Sequence, residues 1–259
     1  MPRNQISMAR LDVIRRRSVI DYPYALNFPG TNGNHMHIGT DVYLYERTQP
    51  WSIAFWIMPK RFPGGSGGHI FAEYQSSAPF RGRLVRIDTG VLNFWLINTF
   101  GSNELKISYQ PPPIGQWTRV VITYDGSSTA AGVKCYFNNV LQTQVGTITT
   151  LSATIVQSSV STRWGGWGGA SVNLPMLLAD PAILDYEVSL AQVADDWFKP
   201  NTGATPIDRY PCTEGSGTAV ASTGTGAHGG TLGAGVTWSS ANTPMKARTV
   251  ITQNRLSVS

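Results

Sequence analysis

The chain has 259 residues, of which 41% are hydrophobic and only 14% are charged. Together with 27 glycines and 16 prolines, these values exclude an intrinsically disordered chain and describe a turn-rich globular protein. The length suits one sandwich or barrel domain, so we expect a single main domain of the all-β class.

The net charge of +5 is concentrated at the two ends of the chain. We therefore expect basic arms at residues 1–23 and 240–259 around a nearly neutral body of residues 24–239. Long-range, salt-sensitive attraction would let such arms dock on an acidic protein surface; the alternative is two solvated termini. The basic residues that would dock are Arg3, Arg10, Arg15, Arg16, Arg17, Lys246 and Arg248.

The clearest strand pattern lies in residues 115–141. Side chains alternate with a two-residue period from Thr118 to Tyr124, which predicts a strand. A second strand is predicted at residues 133–137, and Asn138-Asn139 then favours a turn into a strand at residues 140–145, making a hairpin. A glycine-rich loop is predicted at residues 62–69. One helix is predicted at residues 189–198, where Ser189 and Gln192 form a capping box. Further strands are predicted within residues 25–38 and at 51–58, 70–74, 84–88, 91–97, 105–109 and 177–184.

These elements resemble those of a known family. The central segment is similar to the central strands of laminin-G-like, concanavalin A-like jelly rolls. The matching residues are Gly115, Trp117, Val120, Tyr124, Asp125, Gly126, Val133, Tyr136, Asn138 and Leu141. The flanks agree, because the opening strand, Trp56 with Pro59, and the short helix also resemble that pattern. The resemblance implies a concanavalin A-like jelly-roll β-sandwich with one short helix.

The C-terminal part resembles the same family in an unusual order. Residues 210–238 are similar to a segment that in many relatives precedes the first strand, but here it follows the helix. Because the two ends of a sandwich lie close together, strands can be supplied from either terminus. We therefore expect residues 205–239 to complete the domain of residues 24–239.

Catalytic patterns are missing from the sequence. Glycoside hydrolases of this fold carry paired carboxylates at alternate positions of one strand, and the nearest approach here is Asp185 with Glu187 before the helix. The four histidines cannot be matched to a nucleophile, and Cys135 alternates with apolar residues on a strand, as a small buried side chain would. The sequence therefore predicts a protein that is not an enzyme.

The resemblance also implies a calcium ion at the rim of the sandwich. The matching positions are Asn32, Asn34 and Asp180, but two of them are amides and Pro29 replaces a further acid. Calcium takes six to eight oxygen ligands, several of them from carboxylates. We therefore expect no metal or other cofactor, with calcium at these three residues as the alternative.

Two tryptophans are candidates for ligand binding. Trp167 lies among glycines after Arg163, where its ring would either stack on a sugar or cap the core; Trp164 is expected in the core. Trp95 alternates with Leu92, Phe94 and Leu96, which predicts that it faces outward in a groove with Asn93 or Ile97. The candidate ligand-binding residues are Trp167, Trp95, Arg163 and Asn93.

Two functions of different classes fit this sequence. The first is a structural component of a bacteriophage virion, such as a capsid decoration or tail-associated protein, that docks on an acidic capsid or tail surface through its arms. It would be made in the host cytoplasm, because arginines occupy residues 1–20 where a signal peptide needs an apolar run. The alternative is a carbohydrate-binding module. We expect no membrane partner, because no apolar run is long enough to span a membrane. Nucleic acid is a weaker candidate partner, because the arms lack the interleaved aromatic residues that favour its binding. The sequence is also compatible with a homo-oligomer.

Overall fold

A computed structural model describes residues 22–64, 67–167, 173–194 and 205–244. The described residues form a sandwich of two antiparallel sheets, which confirms the predicted all-β fold. Outside them lie most of the two predicted arms, including Arg3, Arg10, Arg15, Arg16, Arg17, Lys246 and Arg248, and residues 195–198 of the predicted helix.

One sheet has eight strands within the described residues. In spatial order they are β10 (Val140–Leu141), β9 (Val133–Phe137), β8 (Thr118–Tyr124), β3 (Trp51–Pro59), β13 (Met176–Leu184), β1 (Ala25–Phe28) and β17 (Thr237–Ser239), with β14 (Asp208–Arg209) paired to β13.

The other sheet has nine described strands. Their order is β11 (Gln144–Thr149), β7 (Asn103–Tyr109), β6 (Val91–Thr99), β5 (Gly82–Asp88), β4 (Gly68–Tyr74), β12 (Ser161–Trp164), β2 (Met36–Thr40), β16 (Gly230–Leu232) and β15 (Ala219–Val220). All strand pairs among the described residues are antiparallel, so short turns can connect neighbouring strands.

The core lies between the sheets and consists of alternate side chains from each strand. Trp164 is fully buried there, as the sequence predicts, with its ring 5.3 Å from Phe71 and 5.9 Å from Phe55. Trp51 adds a contact of 5.4 Å with Phe94. Full burial of one such side chain stabilises the fold by about 1.5–3 kcal/mol, so these inward positions hold the two sheets together.

The predicted central hairpin is present, but its third strand is shorter than expected. Asn138 and Asn139 adopt left-handed φ angles of 48° and 71°, and Phe137 pairs with Val140. The expected single strand over residues 140–145 is wrong: β10 ends at Leu141, and β11 begins at Gln144 in the other sheet beside β7. Both side chains of β10 are exposed, so no buried face extends this strand beside β9.

The glycine-rich segment is also more ordered than predicted, because β4 already begins at Gly68. A Cβ atom on Gly68 would lie 2.4 Å from the carbonyl oxygen of Ile87, so only glycine allows this close strand approach. His69, expected in the loop, is 2% exposed.

The C-terminal segment contributes strands to both sheets. β17 pairs with β1 through Leu26 and Trp238, and β16 pairs with β2. Buried Asp208 fixes this segment, because its carboxylate accepts hydrogen bonds from Tyr43 (2.6 Å), from Ser222 (2.6 Å) and from the backbone N–H of His228 (2.9 Å). The carboxylate oxygen that accepts from Tyr43 also lies 2.7 Å from His228 Nδ1.

Helix α1 (Leu190–Ala194) begins at the predicted capping box. The backbone N–H of Gln192 donates to Ser189 Oγ at 3.3 Å, and the backbone N–H of Ser189 donates to Gln192 Oε1 at 2.9 Å. These reciprocal bonds satisfy donors that the first helical turn leaves unpaired. Among the described residues, no helix has the length and apolar character needed to cross a membrane.

Candidate functional site

The outer face of the nine-stranded sheet gathers most of the predicted binding residues. Residues paired directly across neighbouring strands lie on the same face of a sheet. One continuous row of such pairs runs through Thr231, His37, Arg163, Ala72, Leu84, Trp95, Lys106 and Ile148. A second row lies two residues away on β5, β6 and β7 and three residues away on β4, where a β-bulge intervenes; it contains His69, Arg86, Asn93 and Ser108. We call this surface the outer face below.

Trp95 lies on the outer face, as its alternation predicts, but its ring is not open to a ligand. The Arg86 guanidinium carbon lies 4.8 Å from the ring centroid and Lys106 Nζ lies 4.4 Å from it. The Phe100 ring packs 5.2 Å away. Trp95 is therefore only 3% exposed, and the expectation of an open groove at this residue is wrong because neighbouring strands supply covering cations.

Asn93 is closed off in a similar way. Its amide oxygen accepts a hydrogen bond from Ser108 Oγ at 2.7 Å, and its amide nitrogen donates to the Val91 carbonyl at 3.1 Å. The residue is 2% exposed. Asn93 therefore supports the sheet, and the expectation that it borders an open groove is also wrong.

Trp167 has a different environment. Its ring is half-buried and stacks on Tyr74, with centroids 5.4 Å apart and planes inclined by only 16°. The His69 ring lies 6.2 Å from Trp167 and 5.9 Å from Tyr74, and Tyr74 Oη lies 3.1 Å from His69 Nε2. Trp167, Tyr74 and His69 form an aromatic cluster, which we call the aromatic stack, beside the first row of the outer face.

Sequence alternation could not identify this cluster. His69 and Tyr74 are five positions apart, so a regular strand would place them on opposite faces. A β-bulge between His69 and Phe71 shifts the register and brings both rings to one side. The only signal in the sequence was the glycine-flanked Trp167, because its partners lie about a hundred residues earlier.

The histidines of this region are held neutral. Burial, with a further contribution from the charge of Arg163, lowers the pKa of His35 from 6.5 to about 4. Burial and Arg163 also lower the pKa of His37, and burial followed by the charge of Arg86 lowers the pKa of His69 to about 4. At neutral pH the positive charges beside the aromatic stack therefore belong to arginines.

Arg163 and Arg86 differ in their partners. Arg86 Nη2 forms an ion pair with Asp88 at 2.6 Å. Arg163 is half-buried on β12 between His37 and Ala72, and it forms no ion pair with any residue that the structure describes. Its Nε atom is buried without a hydrogen-bond partner.

The predicted calcium residues serve separate structural roles. Asp180 is fully buried, and its two oxygens accept hydrogen bonds from Arg209 Nε at 2.7 Å and Nη2 at 3.2 Å. Asn34 accepts a bond from the backbone N–H of Thr31 at 2.8 Å and donates to the Ala234 carbonyl, while Asn32 is exposed. Arg209 therefore already neutralises the only carboxylate among the three residues, whereas calcium takes several carboxylate ligands. In the described ranges, no three His, Cys, Asp or Glu side chains are grouped to hold a metal.

Other reactive groups are occupied or inaccessible. Glu187, part of the nearest approach to a carboxylate pair, forms an ion pair with Lys134 at 2.8 Å. Cys135 and Cys212 are free, fully buried thiols, and burial raises the pKa of both. A thiol with a raised pKa and no solvent access is a poor nucleophile, so neither cysteine forms a reactive site.

Comparisons with known proteins agree with this fold. Residues 30–194 match the family model described as the concanavalin A-like lectin/glucanases superfamily. The chain belongs to this superfamily. No curated protein matches the sequence.

Several solved structures are similar to this chain. A suspected carbohydrate-binding protein from Bacteroides ovatus has a TM-score of 0.60 and 14% identity over 86% of this chain. The match covers 61% of the Bacteroides chain, which is less than two thirds of its length. A heptameric SAP-like pentraxin from Limulus polyphemus has 20% identity and a TM-score of 0.46, covering 68% of this chain and 82% of the pentraxin. The binding domain of botulinum neurotoxin serotype G has 15% identity and a TM-score of 0.47, covering 68% of this chain and 46% of that one. At 14% identity, the likeness to the Bacteroides protein shows the fold alone.

Proposed function

We propose that this domain is a non-enzymatic carbohydrate-binding module whose site lies on the outer face of the nine-stranded sheet, at the aromatic stack. The observation that carries the proposal is the half-buried ring of Trp167, held by its stacking on Tyr74. An aromatic ring fixed in one orientation can accept the apolar face of a sugar without losing much conformational entropy.

Polar groups beside the stack complete the requirements of a sugar site. Ligand sites combine an apolar surface with a few placed donors and acceptors. Arg163 supplies donors, and the neutral ring of His35 has an Nδ1 atom that is buried without a partner. The superfamily membership and the similarity to the Bacteroides protein support the same function.

A glycan array followed by titration calorimetry tests this proposal. The wild-type protein should retain at least one glycan class, and Trp167→Ala should weaken that binding by about 30-fold, the loss typical of an aromatic anchor. Trp238→Ala is the matched control, because Trp238 is also half-buried but lies on β17 of the other sheet. Circular dichroism of both variants shows whether the fold is kept. An empty array for the wild type, or equal glycan affinity of wild type and Trp167→Ala, would refute the proposal.

The alternative of a bacteriophage virion component stays a prediction. Its docking residues in the two basic arms lie outside the described residues, and none of the similarities above concerns a capsid or tail protein. Deletion of residues 1–20 should abolish incorporation into a particle if the arms dock on it, and normal incorporation would count against that role.

A further inference from the structure

Arg163 suggests which class of glycan the outer face binds. Three other arginines in the described part of the chain each form an ion pair: Arg83 with Glu73 at 3.0 Å, Arg86 with Asp88 at 2.6 Å and Arg209 with Asp180 at 2.7 Å. Arg163 is half-buried like Arg86, yet none of the described acidic residues pairs with it. This arginine is therefore a partly desolvated charge without a counter-charge.

Such a charge is unfavourable in the free protein. Burial lowers the pKa of Arg163, and the nearby Tyr74 only partly opposes that effect. An arginine nevertheless keeps its proton at neutral pH, so the cost of partial desolvation persists until an anion arrives. An incoming carboxylate would meet a guanidinium that has already lost part of its hydration, which strengthens the ion pair that forms.

The position of Arg163 connects this charge to the aromatic stack. Arg163 is paired with Ala72 on β4, and Tyr74 is two residues along the same strand face. Burial raises the pKa of Tyr74, and the charges of Arg86 and Arg163 partly oppose that rise. Tyr74 in turn stacks on Trp167, so one ligand can reach both the tryptophan and the arginine.

The neighbouring histidines add no positive charge beside Arg163 at neutral pH. The pKa values of His35 and His69 are about 4, and that of His37 is lowered as well. At neutral pH these histidines are therefore uncharged. The charge of Arg86 is already balanced by Asp88, and Lys106 lies over the Trp95 ring.

We propose that the glycan carries a carboxylate, as uronic and sialic acids do, and that Arg163 binds this group while Trp167 stacks on a sugar ring. This inference rests on the proposed function. The planar fork of a guanidinium matches a planar carboxylate through two parallel hydrogen bonds, which favours a carboxylate over a sulfate ester.

Calorimetry with matched pairs of oligosaccharides tests the inference. The probes are sialyllactose with its neutral methyl ester, and trigalacturonate with galactotriose; the members of each pair differ mainly in the carboxylate groups, and a sulfated lactose is added as a second anion. Wild type should bind one acidic member at least tenfold more tightly than its neutral counterpart, and the pair that shows this identifies the acid. Arg163→Gln should remove the preference, so that the acidic and neutral members of a pair bind with similar affinity, while Arg163→Lys should keep a weaker preference.

Arg61→Gln is the control for net charge, because Arg61 is exposed and lies two residues after the end of β3, a strand of the other sheet. It should leave the acidic preference intact. Equal affinity of the wild type for acidic and neutral members would overturn the inference without any variant, as would tighter binding of the sulfated sugar. If binding is still lost in Trp167→Ala in that case, the proposed function stands and only the inference fails. Absence of binding to every glycan would reject both.

Discussion

The outer faces of the two sheets are covered in different ways. On the eight-stranded sheet, Val188 and Val193 of the segment around α1 pack on a buried cluster that includes Ala54 and Val121. The ring of Tyr22 lies 6.3 Å from Trp56 on the same sheet. On the nine-stranded sheet the aromatic rings are covered by cations from neighbouring strands and by one another. A face covered by side chains can open for a ligand through rotamer changes, whereas a packed chain segment would have to detach.

The largest expected effect is a loss of stability at Trp95, in the part of the outer face that neighbouring side chains cover. Trp95→Ala should reduce the free energy of unfolding by about 3–5 kcal/mol, because the ring is almost fully buried among Leu84, Ile97 and the covering cations. Urea denaturation measures this loss. Lys106→Gln is the companion variant and should cost no more than about 1 kcal/mol, since it removes a cation but keeps the ring. A loss below about 1 kcal/mol for Trp95→Ala would mean that this ring does not stabilise the sheet.

The second expected effect concerns the aromatic stack and its pH dependence. His69 has a pKa of about 4 when folded and an ordinary value of 6.5, so the unfolded chain binds the proton first as the pH falls. Stability should therefore decrease from about pH 6.5 down to pH 4, with a loss of about 2 kcal/mol between pH 7 and pH 5 from this residue.

Chemical denaturation of wild type and His69→Gln at both pH values isolates that contribution. The variant lacks the titrating ring, so its loss of stability between pH 7 and pH 5 should be smaller by the same amount. Identical pH dependence of the two proteins would show that His69 is not held neutral in the fold.

The smallest expected effect lies at the chain segment that covers the eight-stranded sheet. Ser189→Ala should destabilise the protein by about 1 kcal/mol, because it removes the side-chain acceptor for the backbone N–H of Gln192. Gln192→Ala removes the reciprocal bond, so the double variant should cost less than the sum of the two. Glycan affinity should stay unchanged in all three; a parallel loss of binding would mean that the two faces are not independent.

Much of the fold could be predicted from local sequence patterns. The alternation from Thr118 to Tyr124, the Asn138-Asn139 turn and the Ser189–Gln192 capping box each depend on residues close together in the chain, and all three are present. The passage of the chain from one sheet to the other between β10 and β11 was not predictable. No proline or charged residue marks this position, and the uncharged sequence suits a strand in either sheet.

The site was also predictable only in part, because contacts between residues far apart in the sequence decide which side chains are accessible. Alternation correctly placed Trp95 on the outer face, but its covering residues Arg86 and Lys106 come from adjacent strands. Asp180 matches a calcium position of the family, and its neutralisation by Arg209 was not predictable because Arg209 lies in a later segment of the chain. Residue type and spacing therefore identified the face, while long-range pairing decided which parts of it are open.

The most direct test of this account is a two-dimensional NMR titration of the tryptophan indole N–H signals with the tightest-binding glycan from the array. The chain has eight tryptophans, and Trp167→Phe and Trp95→Phe assign the two signals that matter. We predict that the Trp167 signal shifts with saturation while the signal of the buried Trp95 stays in place. A glycan that binds and leaves the Trp167 signal unmoved would contradict it.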